Sequence, residues 1–219
     1  HRHCRGNGTA MGGRMSEESR QLSDIFSELD GFSRYNKIRD LYWQPPSMEP
    51  DHGGPYEWQA EFNNAGSRYM ERGLMCGNRT GKSFCGAAEV AVHATGLYPP
   101  WWQGRRFTTP VSVWVGSETN EQSRDIVQKA LLGGTLENLG TGFIPRDTIH
   151  PNGGKIRQCG IADVVESMKV KHKLGGWSQI NFKTYEQGRR RWQGTAQHVV
   201  WLDEEPPADI YTEALTRLA

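Results

Sequence analysis

The 219 residues suffice for one α/β domain with a substantial core and are short for two. Lys and Arg (26) nearly balance Asp and Glu (25), and a formal net charge of +1 excludes a uniformly basic coat while leaving room for positive charge confined to one groove. The apolar runs at residues 111–115 and 198–202 fall far below the ~18–20 residues of a bilayer span. Cys4, Cys76, Cys85 and Cys159 are scattered without C-x-x-C spacing, so neither a zinc site nor a disulfide framework is indicated and a reducing compartment fits.

Residues before Met15 lack the apolar run of a secretory signal and read as a leader or scar. Over residues 16–40, Leu22, Ile25, Phe26 and Leu29 follow Ser16 at helical spacing, which predicts an amphipathic helix, and turn chemistry from Gln44 to Pro55 separates it from a second helix over 56–69. The expected domain division is 1–40 and 41–219. Arg72-Gly73-Leu74-Met75-Cys76 is a short apolar run, read as a strand, that breaks into Gly77-Asn78-Arg79-Thr80-Gly81-Lys82-Ser83. Ala87, Ala88, Val90, Ala91 and Ala94 then recur at helical spacing up to Gly96.

A second strand is expected over 111–115, a helix over 121–132, and an irregular Gly- and Pro-containing insertion over 133–160. Alternating residues 164–172 and 179–185 around Leu174-Gly175-Gly176 spell a β-hairpin. Val199-Val200-Trp201-Leu202, ending in Asp203-Glu204-Glu205, reads as a buried central parallel strand. This alternation of strands and helices points to an α/β sheet wrapped by helices.

Gly81-Lys82-Ser83 between a strand and a helix suits a triphosphate. Loop and helix-terminal N–H groups bind phosphate oxygens, Lys82 reaches the β- and γ-phosphates, and the Ser83 hydroxyl ligates Mg²⁺. The general phosphate-loop pattern requires Gly five places before Gly81, where this chain has Cys76, so the tripeptide alone also fits an ordinary helix-start turn. The strand ending in Asp203-Glu204 adds the complementary half: Asp203 to hold the metal and Glu204 to orient and deprotonate water. A solvated acidic turn is the plainer reading of that strand end.

The run from Val200 through Pro207, with Asp209-Ile210-Tyr211-Thr212-Glu213 after it, resembles the Walker B region of phage terminase large subunits. Gly77 through Ser83 resembles their Walker A, and Tyr98-Pro99-Pro100-Trp101-Trp102, Arg124-Asp125-Ile126-Val127-Gln128 and Tyr185-Glu186-Gln187-Gly188-Arg189 are similar as well. The resemblance covers about residues 40–219. It implies a P-loop NTPase fold of the additional-strand, RecA-like kind, with a mostly parallel sheet flanked by helices. It also implies ATP and Mg²⁺ as cofactors, translocation of double-stranded viral DNA, a portal protein and a small terminase subunit as partners, self-association into a ring, and work in the host cytoplasm without a membrane. The family's coupling motif and nuclease domain are expected beyond Ala219.

By the same resemblance, Gln59 contacts adenine through its amide, Arg79 contacts the γ-phosphate, and Arg124 acts as an arginine finger on a neighbouring subunit's ATP. The plainer readings are a surface helix glutamine, a solvent-facing loop arginine and a solvated helix face. Arg189-Arg190-Arg191 beside Trp192 fits either DNA phosphate contact or a solvated charge run. Trp101, Trp102, Trp114 and His93 read as packing residues. Two other functions compete: a P-loop helicase or repair-type ATPase, and a nucleotide-binding assembly subunit without turnover. The Trp201–Thr212 block argues against the first, and the intact Lys82, Ser83, Asp203 and Glu204 set against the second.

Overall fold

The computed structural model describes Glu17 and residues 36–49 and 53–218. The chain divides into two units, His1–Arg34 and Tyr35–Ala219, and the architecture below belongs to the second. Most of the helix expected over 16–40 therefore lies outside the described residues; its last part forms α1 (Lys37–Tyr42), where Asn36 Oδ1 accepts the Arg39 N–H at 3.1 Å. Helix α2 (Glu57–Ala65) is shorter than the expected 56–69, and its start is closed by Gln59 Oε1 accepting the Tyr56 N–H at 3.0 Å.

Helix α3 (Lys82–Thr95) runs between two glycines in the left-handed region, Gly81 at φ 93° and Gly96 at φ 73°, which is where chain reversal at a helix end demands a residue without Cβ. Strand β1 (Ser112–Ser117) leads into one continuous helical stretch built of α4 (Asn120–Gln122), a π-helical turn (Ser123–Gln128) and α5 (Lys129–Leu131). The expected irregular insertion contributes a 3₁₀ turn (Arg146–Thr148) and a two-residue strand β2 (Lys155–Ile156). Strands β3 (Val165–Lys171) and β4 (Trp177–Thr184) form the expected hairpin, followed by two 3₁₀ turns, strand β5 (Val199–Leu202) and helix α6 (Ala208–Leu215).

The sheet order is β2-β3-β4-β1-β5. Pairings of β1 with β4 and β5 are parallel, whereas β3 with β4 and β2 with β3 are antiparallel. The sheet is thus mixed and not mostly parallel. The physical cause is the short turn through Gly175 (φ 98°) and Gly176 (φ 80°), which can join only antiparallel strands and brings β3 into the same sheet. Strand β5, expected at the centre, is an edge strand with all four residues only half-buried. Residues 72–76 form no strand: no ladder partner reaches them, and Met75 is 97% exposed.

One face of the sheet carries Val113, Val115, Met168, Val170, Ile180 and Phe182 into the main core with the small residues of α3 and with Val127 and Leu131. The other face buries Trp114 under Tyr185, Trp192, Ile210 and Ala214. Trp102 and His93 are buried and Trp101 half-buried, so they pack as expected. Among the described residues no helix is long and apolar enough to cross a membrane.

Helix α3 meets β5 through Gly86, where a Cβ would stand 2.6 Å from Cε2 and Nε1 of Trp201. Gly86→Ala is expected to lower stability by about 1–3 kcal/mol through overpacking, read from the urea midpoint. Adding Trp201→Leu should recover part of the loss; a Gly86→Ala chain as stable as the parent would remove this contact as a determinant.

Candidate functional site

The loop of residues 77–83 begins at an exposed segment and ends at the N-terminus of α3, whose first N–H groups have no intrahelical acceptors and favour negative charge. Lys82 folds back across its own loop, with Nζ donating to the carbonyls of Cys76 at 2.8 Å and Gly77 at 2.9 Å. Thr80 Oγ1 donates to the Gly77 carbonyl at 2.9 Å. Asn78 and Arg79 are exposed, and Arg79 holds φ 62°. The loop therefore turns its cation inward onto its own carbonyls, leaving the ammonium at the mouth of the helix terminus.

Strand β5 delivers the second half of the site. The Asp203 N–H continues the ladder to the Gly116 carbonyl at 2.9 Å, so the carboxylate leaves the sheet at the C-terminal end of two parallel strands. Ser83 Oγ donates to Asp203 Oδ1 at 2.9 Å, across 120 positions of chain. Burial raises the Asp203 pKa from its ordinary value; the Ser83 hydrogen bond opposes this, the Glu204 charge adds to it and Lys82 opposes it. A buried carboxylate in this state gains from a cation. Two oxygens 2.9 Å apart are at the spacing of an ordinary O–H···O hydrogen bond and also at that of neighbouring ligands of a small octahedral divalent ion, which at ~2.0–2.1 Å from the ion lie about 2.9 Å from each other.

Glu204 is exposed and held at φ 63°, a conformation that costs a residue with a Cβ on the order of 1–3 kcal/mol and that turns its side chain off the strand direction. Tyr185, which the family resemblance included without assigning it a role, donates its hydroxyl to the Asp203 carbonyl at 2.9 Å and fixes the chain between the two acids. Burial is the first cause of a raised Tyr185 pKa, with the Asp203 and Glu204 charges next, so the phenol stays a donor.

Gln59 is buried, and its amide is used twice within the protein: Oε1 caps α2 and Nε2 donates to the Gly81 carbonyl at 3.3 Å. It braces the loop. Arg124 lies in the π-helical turn, where it pairs with Asp125 at 2.7 Å and reaches the Ala162 carbonyl at 3.4 Å; no bond joins it to the loop among the described residues. Arg189 is bound to Glu213 at 3.0 Å, while Arg190 and Arg191 are exposed.

Behind the loop lies a buried polar network that sequence reading missed. Glu89 on α3 receives Arg72 Nη2 at 2.5 Å and Asn63 Nδ2 at 3.0 Å, and approaches His93 Nε2 at 3.4 Å. Asn63 Oδ1 in turn accepts from the Tyr42 hydroxyl at 3.2 Å. Helices α2 and α3 and the segment entering the loop therefore share one carboxylate, to which α1 is linked through Asn63. A Glu at helical spacing carries no sequence mark of such burial, because its partners sit up to dozens of residues away.

A family model described as "Terminase large subunit, T4likevirus-type, N-terminal" matches residues 74–219. The chain is also similar to "Terminase, large subunit" of Salmonella phage P22, with 44% identity over 220 residues, covering 92% of this chain and 41% of that protein. It thus spans about two fifths of the length of that curated relative. No solved structure matches.

Burial alone would raise the Glu89 pKa, yet the His93 and Arg72 contacts prevail and hold it below the ordinary 4.5. A depressed carboxylate contributes stability that is present above pH 4.5 and is lost as pH falls through its folded value. Glu89→Gln should remove that acid-limb component and cost about 3 kcal/mol at neutral pH, because Arg72 is left without its counter-charge. Denaturant titrations between acid and neutral pH test both; an unchanged acid limb would count against the assignment.

Proposed function

The chain belongs to the terminase large-subunit family, and from that premise we propose that it is the ATP-hydrolysing part of a motor that drives double-stranded viral DNA into a capsid. The supporting observation is the Ser83–Asp203 hydrogen bond of 2.9 Å, which joins the Gly-Lys-Ser helix start to the acidic end of β5. In this reading the domain is a P-loop NTPase. The N–H groups at the start of α3 bind the phosphates, and Lys82 exchanges its two loop carbonyls for β- and γ-phosphate oxygens. Thr80 and Gln59 keep the loop in shape through the Gly77 and Gly81 carbonyls.

Ser83 and Asp203 would hold Mg²⁺, which when bound neutralises phosphate charge as a Lewis acid. Glu204, turned out of the strand by its positive φ, takes the proton of the attacking water. Arg79, exposed at the loop tip, offers a forked donor to the γ-phosphate. Arg124, half-buried on a π-turn and paired with Asp125, is the candidate for completing a neighbouring subunit's site in a ring. A portal protein and a small terminase subunit are the further partners that packaging requires.

Lys82→Ala is expected to weaken ATP binding at least about tenfold by calorimetry, since it removes a charge-assisted contact worth ~1.4 kcal/mol or more. Glu204→Gln should keep Mg-ATP binding while hydrolysis drops by roughly 10² to 10⁴, and Asp203→Asn should weaken the Mg²⁺-dependent binding itself. Parental turnover in Glu204→Gln would remove that residue as the base. Parental ATP affinity in Lys82→Ala would overturn the site.

A rate per subunit that climbs with concentration is expected if Arg124 acts in trans, since such fingers contribute ~10³ to 10⁵. Arg124→Ala should then flatten that climb while leaving nucleotide affinity unchanged. A flat rate in the parent up to assembled rings would exclude a trans arginine.

A further inference from the structure

Register places Lys155, Ser167, Asn181 and Trp114 in one row across the sheet, Lys169, Gln179 and Ser112 in the next, and Lys171 beside Trp177. Directly paired residues share a face, so all project from the side opposite the main core. Lys183 joins them, with Nζ 4.4 Å from the centroid of the Trp114 ring. Where β5 and β1 carry this face, Trp192 and α6 cover it; across β2, β3 and β4, Lys155, Lys169 and Lys171 are exposed around a buried Ser167, and Trp177, with the His150 ring edge-on at 4.4 Å, is 44% exposed.

Positive charge predominates on this side, where Glu166 is near enough to Lys183 and Arg157 to act on both. Residues 150–191 hold nine Lys or Arg against three Asp or Glu, in a chain whose net charge is +1. None of the salt bridges among the described residues uses Lys155, Lys169, Lys171 or Lys183. A flat array of lysine ammoniums, interleaved with amides and one exposed indole, is complementary to a polyanionic surface of fixed shape. Single-strand binders need several exposed rings on which successive bases stack. On this face the second indole, Trp114, is only 3% exposed, so the array suits phosphates more than bases.

We propose that the open β2-β3-β4 face is where this chain contacts the phosphate backbone of duplex DNA. The assignment rests on the packaging reading above and adds the surface to it. Each lysine–phosphate contact releases about one condensed counterion, so the contacts are counted by the salt dependence of binding.

The test is fluorescence anisotropy of the full chain with a labelled random-sequence duplex over a range of salt. Lys169→Gln/Lys171→Gln should make the slope of log affinity against log salt shallower by about 2, with ATP affinity unchanged, and Lys169→Arg/Lys171→Arg should restore it. Gln179→Lys should steepen the slope by about 1. Duplex binding by the parent with an unchanged slope in the double glutamine variant would overturn this face and leave the DNA reading standing. No duplex binding by the parent at low salt would overturn both. Tighter binding of a single strand than of the duplex would overturn the assignment of the occupant.

Discussion

The close approach of α3 to β5 is the constraint on which the site depends. Gly86 lets the helix backbone come so near the Trp201 ring that no side chain fits between them. One turn earlier on the same helix is Ser83, and two residues after Trp201 is Asp203. Bringing Gly86 against Trp201 therefore brings Ser83 within hydrogen-bonding distance of Asp203, at 2.9 Å. A bulkier residue at position 86 would push the helix start away from the strand end, and an added ångström there is enough to break an O–H···O hydrogen bond.

The polar network around Glu89 plays the complementary role at the back of the loop. Replacing a buried ion pair by apolar residues is often neutral for stability, so its presence is not explained by energy alone. Directionality is what it adds. Arg72 enters from the segment that leads to the loop, donates to Glu89 and to the Phe62 carbonyl at 2.6 Å, and ties that otherwise exposed segment to α2 and α3. Lys82, Thr80 and Gln59 tie the other end, so the loop is held at both entrances by specific hydrogen bonds while its tip stays open.

The two faces of the sheet divide the labour. One is packed by small residues of α3 and the π-containing helix, and positions the loop. The other is half core, under Trp192 and α6, and half open and basic. Arg189 and Arg217 both hold Glu213, so the arginine-rich turn after β4 is braced against the helix that follows the acidic strand end. The arginine-rich turn and the helix after β5 are thus connected through short, hydrogen-bonded elements.

Much of this was legible in the residues themselves. Gly81-Lys82-Ser83 marked the start of α3, Gly175-Gly176 marked the hairpin, and the apolar run 199–202 marked a strand with acids at its end. Each is a short-range statement, in which backbone conformation and helical or strand periodicity are dictated by neighbours a few positions away. The apolar run 199–202 also suggested a central strand and the resemblance to terminases a mostly parallel sheet, and there tertiary structure decided otherwise. The hairpin joined the sheet and made it mixed, β5 took the edge, and residues 72–76 found no partner and formed no strand. Strand neighbours, like the Ser83–Asp203 bond across 120 positions and the burial of Glu89, depend on which distant segments compete for the same hydrogen bonds and the same core space. No local pattern encodes that competition, so the sequence by itself determined most of the elements and the residue types they carry, and only the folded chain decided which of them meet.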